Sequence, residues 1–205
     1  MKNIAALLVI GSLLISCGEA PEKKNDQNTD SNVKPQSSEP AKAAVSADYS
    51  SLLLNYECDM TAAEVAKIFN IPEADIKPIE TNLPGRCDFE IQGFGKNALG
   101  GTAMRWGMAP FSKANSKKEI QSRLKDKEND ENIFGMDIEL SETGDCYITI
   151  TPHVGRVNIL NENYDGAFYF EYSQRGIYKR TEEQHAALTE KTIALANYLL
   201  KKHRK

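Results

Sequence analysis

The sequence predicts an α+β domain, a single antiparallel sheet of about five or six strands covered by two or three helices. Three observations carry this. Three Ser/Thr-x-x-Glu/Gln motifs, starting at Thr61, Ser116 and Thr181, have the capping-box spacing that opens a helix. Between them lie short runs in which apolar and polar residues alternate, the two-residue period of half-buried strands. The turn signals Gly144-Asp145 and Asp165-Gly166 leave room only for antiparallel pairing. One sheet with helices laid over it is the α+β arrangement.

The elements follow in order. Ser50 to Asn55 is a short apolar opening. A helix should run from Ala62 to about Phe69 with Val65, Ile68 and Phe69 inward, stopped by Asn70 and Pro72. Glu73 to Pro84 reads as loop, punctuated by Pro78 and Pro84. Cys87 to Gly93 alternates as a strand, and Gly93 to Gly101 is a glycine-rich connection. Thr102 to Pro110 pairs back, with Ala103, Arg105, Gly107 and Ala109 alternating against Met104, Trp106 and Met108. The Ser116–Glu119 motif puts a helix over about Lys117 to Lys127, with Ile120 and Leu124 as its apolar stripe. Strands are expected at Phe134 to Leu140, Cys146 to Thr151, Val154 to Leu160 and Ala167 to Tyr172. The Thr181–Gln184 motif opens a helix to about His203, with Leu188, Leu195 and Leu199 on one face. The basic end from Lys201 to Lys205 complements the dipole at that helix's C-terminus.

Ahead of this domain the chain has another character. Residues 1–16 carry Lys2, then an apolar run from Ile4 to Ile15. That is roughly a dozen residues where a membrane-spanning helix needs about 20, so a cleaved signal fits better. The run ends in Leu14-Ile15-Ser16-Cys17, which resembles the lipobox of bacterial lipoproteins. The resemblance implies that Cys17 becomes the first residue of the mature chain. Its thiol would carry a diacylglyceryl group and its amino group a further acyl chain, enough for stable attachment to a lipid bilayer. Gly18 rather than Asp follows the Cys, which by the family's sorting rule implies the outer rather than the inner membrane of a Gram-negative cell. Residues 17–48 then form the lipidated Cys and a tether. Gly18 to Asp48 is rich in polar residues, contains Pro21, Pro35 and Pro40, and has no aromatic, so it cannot bury enough apolar surface to offset its ordering entropy. As a coil it would span about 30 Å on average and about 100 Å at full stretch. Residues 49–205 remain as the single domain.

The chain carries 25 basic and 29 acidic side chains, a net charge of −4 that becomes −5 once Lys2 leaves with the signal. That balance argues against nucleic acid as a partner.

Cys17 is assigned to lipid, which leaves Cys58, Cys87 and Cys146. Outside the cytoplasm a bridge is expected. A Cys58–Cys87 bridge would pin the first capped helix to the first strand, worth about 3.5 kcal/mol on the chain-entropy model. Cys146 is then the odd thiol, expected to be buried and inert. A nucleophilic role would need a base, and only His153 is near it in sequence. The run from Cys58 to Val65, with Cys87-Asp88-Phe89 after it, resembles a family of actinobacterial lipoproteins of unknown function. Those domains open with a Cys, a Thr-capped helix carrying Ala-Glu-Val and a second Cys before an aromatic strand. The resemblance implies the disulfide and a non-catalytic role.

Other motifs fall short of chemistry. Gly95 to Thr102 nearly spells a phosphate-binding P-loop, but Gly101 stands where the lysine belongs. Asp126 to Asn132 places oxygen side chains at alternate positions as a calcium loop does, but Glu131 occupies the glycine position. His153, His185 and His203 have no zinc spacing, and no G-x-S-x-G occurs. No cofactor, metal site or catalytic set is expected. The best contact surface is the aromatic and basic group Tyr169, Tyr172, Arg175 and Tyr178, with Tyr164 beside it, because Tyr and Arg anchor interfaces. The expectation is an envelope lipoprotein presenting a non-catalytic binding domain to an envelope protein, a wall polymer or an external ligand. The alternatives are an inhibitor of an extracytoplasmic enzyme, signalled by a projecting 93–101 loop, and an envelope hydrolase.

Overall fold

The computed structural model describes residues 47–81, 83–131 and 133–205, which fall in one compact unit. The expected signal segment, Cys17 and the tether up to residue 46 lie outside the described residues.

Among the described residues there are four α-helices and seven strands, with short 3-10 turns between them. In chain order they are α1 (Ser50–Leu53), α2 (Ala62–Phe69), β1 (Ile76–Pro78), β2 (Arg86–Asn97), β3 (Gly100–Ala109), α3 (Lys113–Glu128), β4 (Asp137–Leu140), β5 (Tyr147–Thr151), β6 (Arg156–Leu160), β7 (Ala167–Glu171) and α4 (Glu182–His203). The strands form one sheet in the order β1-β2-β3-β7-β6-β5-β4, antiparallel at every step. Two meanders, β1 to β3 and β4 to β7, therefore meet along β3 and β7. α3 carries the chain from mid-sheet to the far edge.

One face of the sheet makes the main core. Phe89, Ile91, Met104, Trp106, Ile148, Val157, Ile159, Phe168 and Phe170 are buried there, alternate residues of five strands. Trp106 stacks on Phe89 at 5.0 Å between centroids and donates its Nε1 hydrogen to the Tyr56 hydroxyl at 3.2 Å. α4 lies across this face and packs on β2, β5 and β6 with Leu188, Leu195 and Leu199 buried. α2 packs on α4, its capping box formed as expected between Thr61 and Glu64. Glu64 also accepts from the Tyr198 hydroxyl at 2.9 Å and from Lys202 Nζ at 3.2 Å, tying the two helices together. The Cys58–Cys87 disulfide joins the segment before α2 to β2. The two ends of the domain meet, since Asp48 and Lys205 exchange backbone hydrogen bonds at 3.0 and 3.1 Å.

The α+β class and the single antiparallel sheet hold, with three corrections. First, the sheet has seven strands because part of the Glu73–Pro84 loop is strand β1. It is a three-residue edge strand in which Pro78 is tolerated because an edge position needs no ladder donor on its outer side. Second, α3 starts four residues early. Ser112, not Ser116, is its N-cap and accepts from the Asn115 N–H at 3.2 Å. Asn115 cannot complete the box, so the motif pointed to the later serine, which is buried inside the helix. Third, the 93–101 connection is mostly strand. β2 bulges between Ile91 and Lys96, then turns through Ala98 and Leu99 into β3. Gly95 sits in that bulge at φ +83°, where a Cβ would lie 2.5 Å from the Tyr178 carbonyl oxygen.

Candidate functional site

The opposite face of the sheet is polar and only partly covered. Strand alternation and register place its side chains in three rows. The outer row runs Asp88, Arg105, Glu171, Arg156, Thr151 across β2, β3, β7, β6 and β5. The middle row runs Arg86, Gly107, Tyr169, Asn158, Thr149 across the same strands. The third contains the pairs Ala109–Ala167 and Leu160–Tyr147. α3 packs on β4 and β5 over the apolar end of this face, where Ile120 meets Ile138, Leu160 and Ala167. It leaves a groove of about 650 Å³ between itself and the rest of the sheet, with Phe111 on its wall.

Four arginines line the groove, Arg86, Arg105, Arg123 and Arg156. Arg86 grips Asp88 with Nε and Nη2, both at 2.8 Å. That carboxylate, with the opposing contribution of burial, holds the Arg86 pKa above the ordinary arginine value. Arg105 lies 3.7 Å from the same carboxylate and is 42% exposed. Arg156 faces Glu171 at 3.8 Å. Arg123, on α3, pairs with Glu119 one turn earlier at 2.8 Å and donates to Thr151 Oγ1 at 3.4 Å. Its Nη1 is buried with no hydrogen-bond partner. The lining holds four arginines and two glutamates, Glu119 and Glu171, and Asp88, held by Arg86 from outside the lining, brings the count to one positive charge, in a chain whose net charge is −4. Guanidinium groups do not release protons near neutral pH, and all three carboxylates face arginine, so the arrangement has the chemistry to pair with an anion.

The expected contact set does not share a surface. Tyr169 stands at the centre of the groove floor. Tyr172 is fully buried, its hydroxyl 2.7 Å from Thr189 Oγ1. Tyr178 is buried beneath the Arg180 guanidinium at 4.6 Å. Arg175 is exposed elsewhere and faces Glu182 at 3.6 Å. Tyr164 is a structural latch whose hydroxyl accepts from the Tyr49 N–H at 2.7 Å. The reason is in the alternation: with Phe168 and Phe170 inward, Tyr172 must point inward too. Beyond β7 the chain turns at Ser173, φ +58°. Arg180 clamps this corner, donating to the carbonyls of Phe94, Tyr172 and Ser173 and to Thr102 Oγ1. Burial lowers its pKa to about 10, which still leaves it charged at neutral pH.

Cys146 and His153 are not a nucleophile and base. Cys146 is fully buried, its Sγ accepts from Asn161 at 3.3 Å, and burial pushes its thiol up to about 12. His153 lies beyond the other end of β5, roughly 20 Å away along the strand, with its ring 5.4 Å from Phe134. Another row, Ser51 Oγ to His203 Nδ1 at 3.2 Å and His203 Nε2 to Asp59 at 3.4 Å, joins α1 to the last turn of α4. None of its members lines the groove. Among the described residues, no group of three or more His, Cys, Asp or Glu side chains is placed to hold a metal ion.

Nothing local in the sequence groups the four groove arginines, because they lie on three strands and a helix with no motif spacing. The partial signal was Arg105 alternating with Gly107 and Ala109 opposite Trp106, which marks an uncovered face. No protein-family model, curated protein or solved structure matches this chain.

Proposed function

We propose that this chain is a lipid-anchored protein of the bacterial envelope, held through acylated Cys17, that presents a non-catalytic binding domain on a flexible tether. Its ligand site is the arginine-lined groove on the open face of the sheet. The single observation behind the reading is that groove: about 650 Å³, inside the range of small-molecule sites, with four arginines converging on it. The lipobox and the tether composition support the anchored half, and Gly18 after Cys17 supports the outer membrane as its place. The lipoprotein family with the Cys, capped helix, Cys opening remains a resemblance on the residues quoted for it.

The test has two arms. Cys17→Ala should move the protein from the membrane to the soluble fraction and abolish incorporation of a clickable palmitate analogue. A photo-crosslinking residue at position 169 should capture a ligand in intact cells, and capture should disappear in Arg105→Glu. Membrane retention by Cys17→Ala would contradict the anchor. Capture that persists in Arg105→Glu, or fails in the parent chain, would contradict the groove.

A second reading, an inhibitor of an extracytoplasmic enzyme, has one observation in its favour. Leu99 is 92% exposed at the tip of the β2–β3 hairpin. If that tip enters another protein's cleft, Leu99→Asp should abolish inhibition of the target enzyme while leaving ligand capture at position 169 unchanged.

A further inference from the structure

Resting on the reading of the groove as a ligand site, we infer that its ligand is a compact monoanion, a single carboxylate on an apolar ring or short chain. Three features of the groove converge on that chemistry. The floor is graded: a charged row, then Tyr169 and Asn158, then Ala109, Ala167 and Leu160 beneath the Phe111 wall. A ligand lying across the rows meets cations at one end and hydrocarbon at the other. The charge count is plus one, and the loosely paired cations are Arg105 and Arg156, the latter 3.8 Å from Glu171. Arg86 holds Asp88 with two contacts at 2.8 Å, while Arg105 reaches that carboxylate only at 3.7 Å and keeps its donors free for a partner from solution. The third feature is Arg123, which lines the groove from the α3 side with its side chain 15% exposed and sets a guanidinium opposite those of the sheet. A carboxylate suits this set because guanidinium binds it through two parallel bonds.

Three other parts of the molecule are weaker candidates. The exposed ring of Phe134 beside His153 and the apolar loop around Ile79 and Leu83 offer surface but no feature that selects an occupant. The Ser51, His203, Asp59 row joins two helices and lines none of the groove.

The probes are 2-naphthoate and its neutral isostere 2-naphthamide, which share the ring and differ in charge, and the dianion 2,6-naphthalenedicarboxylate. Each is titrated into the 15N-labelled full chain in detergent micelles and followed by amide NMR shifts. Naphthoate is expected to shift amides of β3, β6 and β7 around Arg105, Arg156 and Tyr169. It should bind about tenfold or more tightly than naphthamide, the discrimination of a charge-assisted pair. The dianion should gain nothing over the monoanion. Arg105→Gln should weaken naphthoate about tenfold, to the level of naphthamide, while leaving the dispersed spectrum unchanged. Equal binding of acid and amide in the groove would overturn the inference and leave the groove as a ligand site. A dianion tenfold tighter than naphthoate would overturn the single-charge assignment. Shifts confined to other surfaces, or none at millimolar probe, would overturn both the inference and the groove reading.

Discussion

The two faces of the sheet are built from the same strands but to different rules. On the α4 side, Phe89, Trp106, Phe168 and Phe170 are essentially inaccessible to solvent and pack ring against ring. On the α3 side, the positions between them are Arg86, Arg105, Tyr169 and Glu171, with α3 covering only the β4–β5 end. A sheet face that only needed shielding could have been closed by hydrophobic residues beneath a full-length helix. Here charged residues occupy the centre of the sheet, where β3 and β7 join the two meanders. Folding rests on one face and the proposed ligand groove lies on the other, with β2, β3, β5, β6 and β7 contributing to both.

The largest effect should come from the packed face. Trp106→Ala removes a fully buried ring, its stack on Phe89 and its hydrogen bond to Tyr56. A loss of about 3–5 kcal/mol is expected from the denaturant midpoint. A loss below about 1 kcal/mol would mean that this face is not the core that carries stability.

Next is the disulfide. Replacing Cys58 and Cys87 by Ser releases a constraint across 29 residues, and about 2–4 kcal/mol should disappear from the unfolding free energy. The groove arginines other than Arg86 lie away from this link, so naphthoate binding at low temperature should persist in the variant. Loss of binding in a chain that remains folded would tie the groove to the core face more closely than this account allows.

A smaller effect is electrostatic and belongs to the helices of the packed side. The Thr61 backbone N–H, helped by Tyr198 and Lys202 and opposed by slight burial, lowers the Glu64 pKa from 4.5 to about 2. Its folded pKa lies below its unfolded one, so its contribution is complete above about pH 4.5 and is lost as the pH falls toward 2. Unfolding midpoints measured from pH 6 to pH 2 should fall more steeply in the parent chain than in Glu64→Gln. Parallel curves would remove Glu64 from the acid response.

How much of this was legible in the sequence follows from how local each signal is. Thr61 and Thr181 begin helices with the complete box, so their α-helices were readable to the residue. Ser112 caps α3 without a Glu or Gln three residues on, and the nearby Ser116–Glu119 spacing displaced the start. β1 was hidden by prolines that an edge strand accommodates, and the glycine-rich tip read as loop because a bulge and a turn use the same residues. The groove was the least legible part. Arg86, Arg105, Arg123 and Arg156 become neighbours only through β3–β7 pairing and the placement of α3, neither of which has a local signature. Tyr169 was legible as an outward residue of β7. Extending the same alternation two residues would have placed Tyr172 in the core.

The most direct test of the division between the faces is Arg105→Gln, measured for unfolding free energy and for 2-naphthoate affinity in the same preparation. Arg105 is partly exposed and only loosely paired with Asp88, so stability should change by no more than about 0.5 kcal/mol, while affinity drops by about tenfold or more. Stability falling by about 2 kcal/mol or more with affinity unchanged would contradict the account, making the charged rows part of what holds the sheet together.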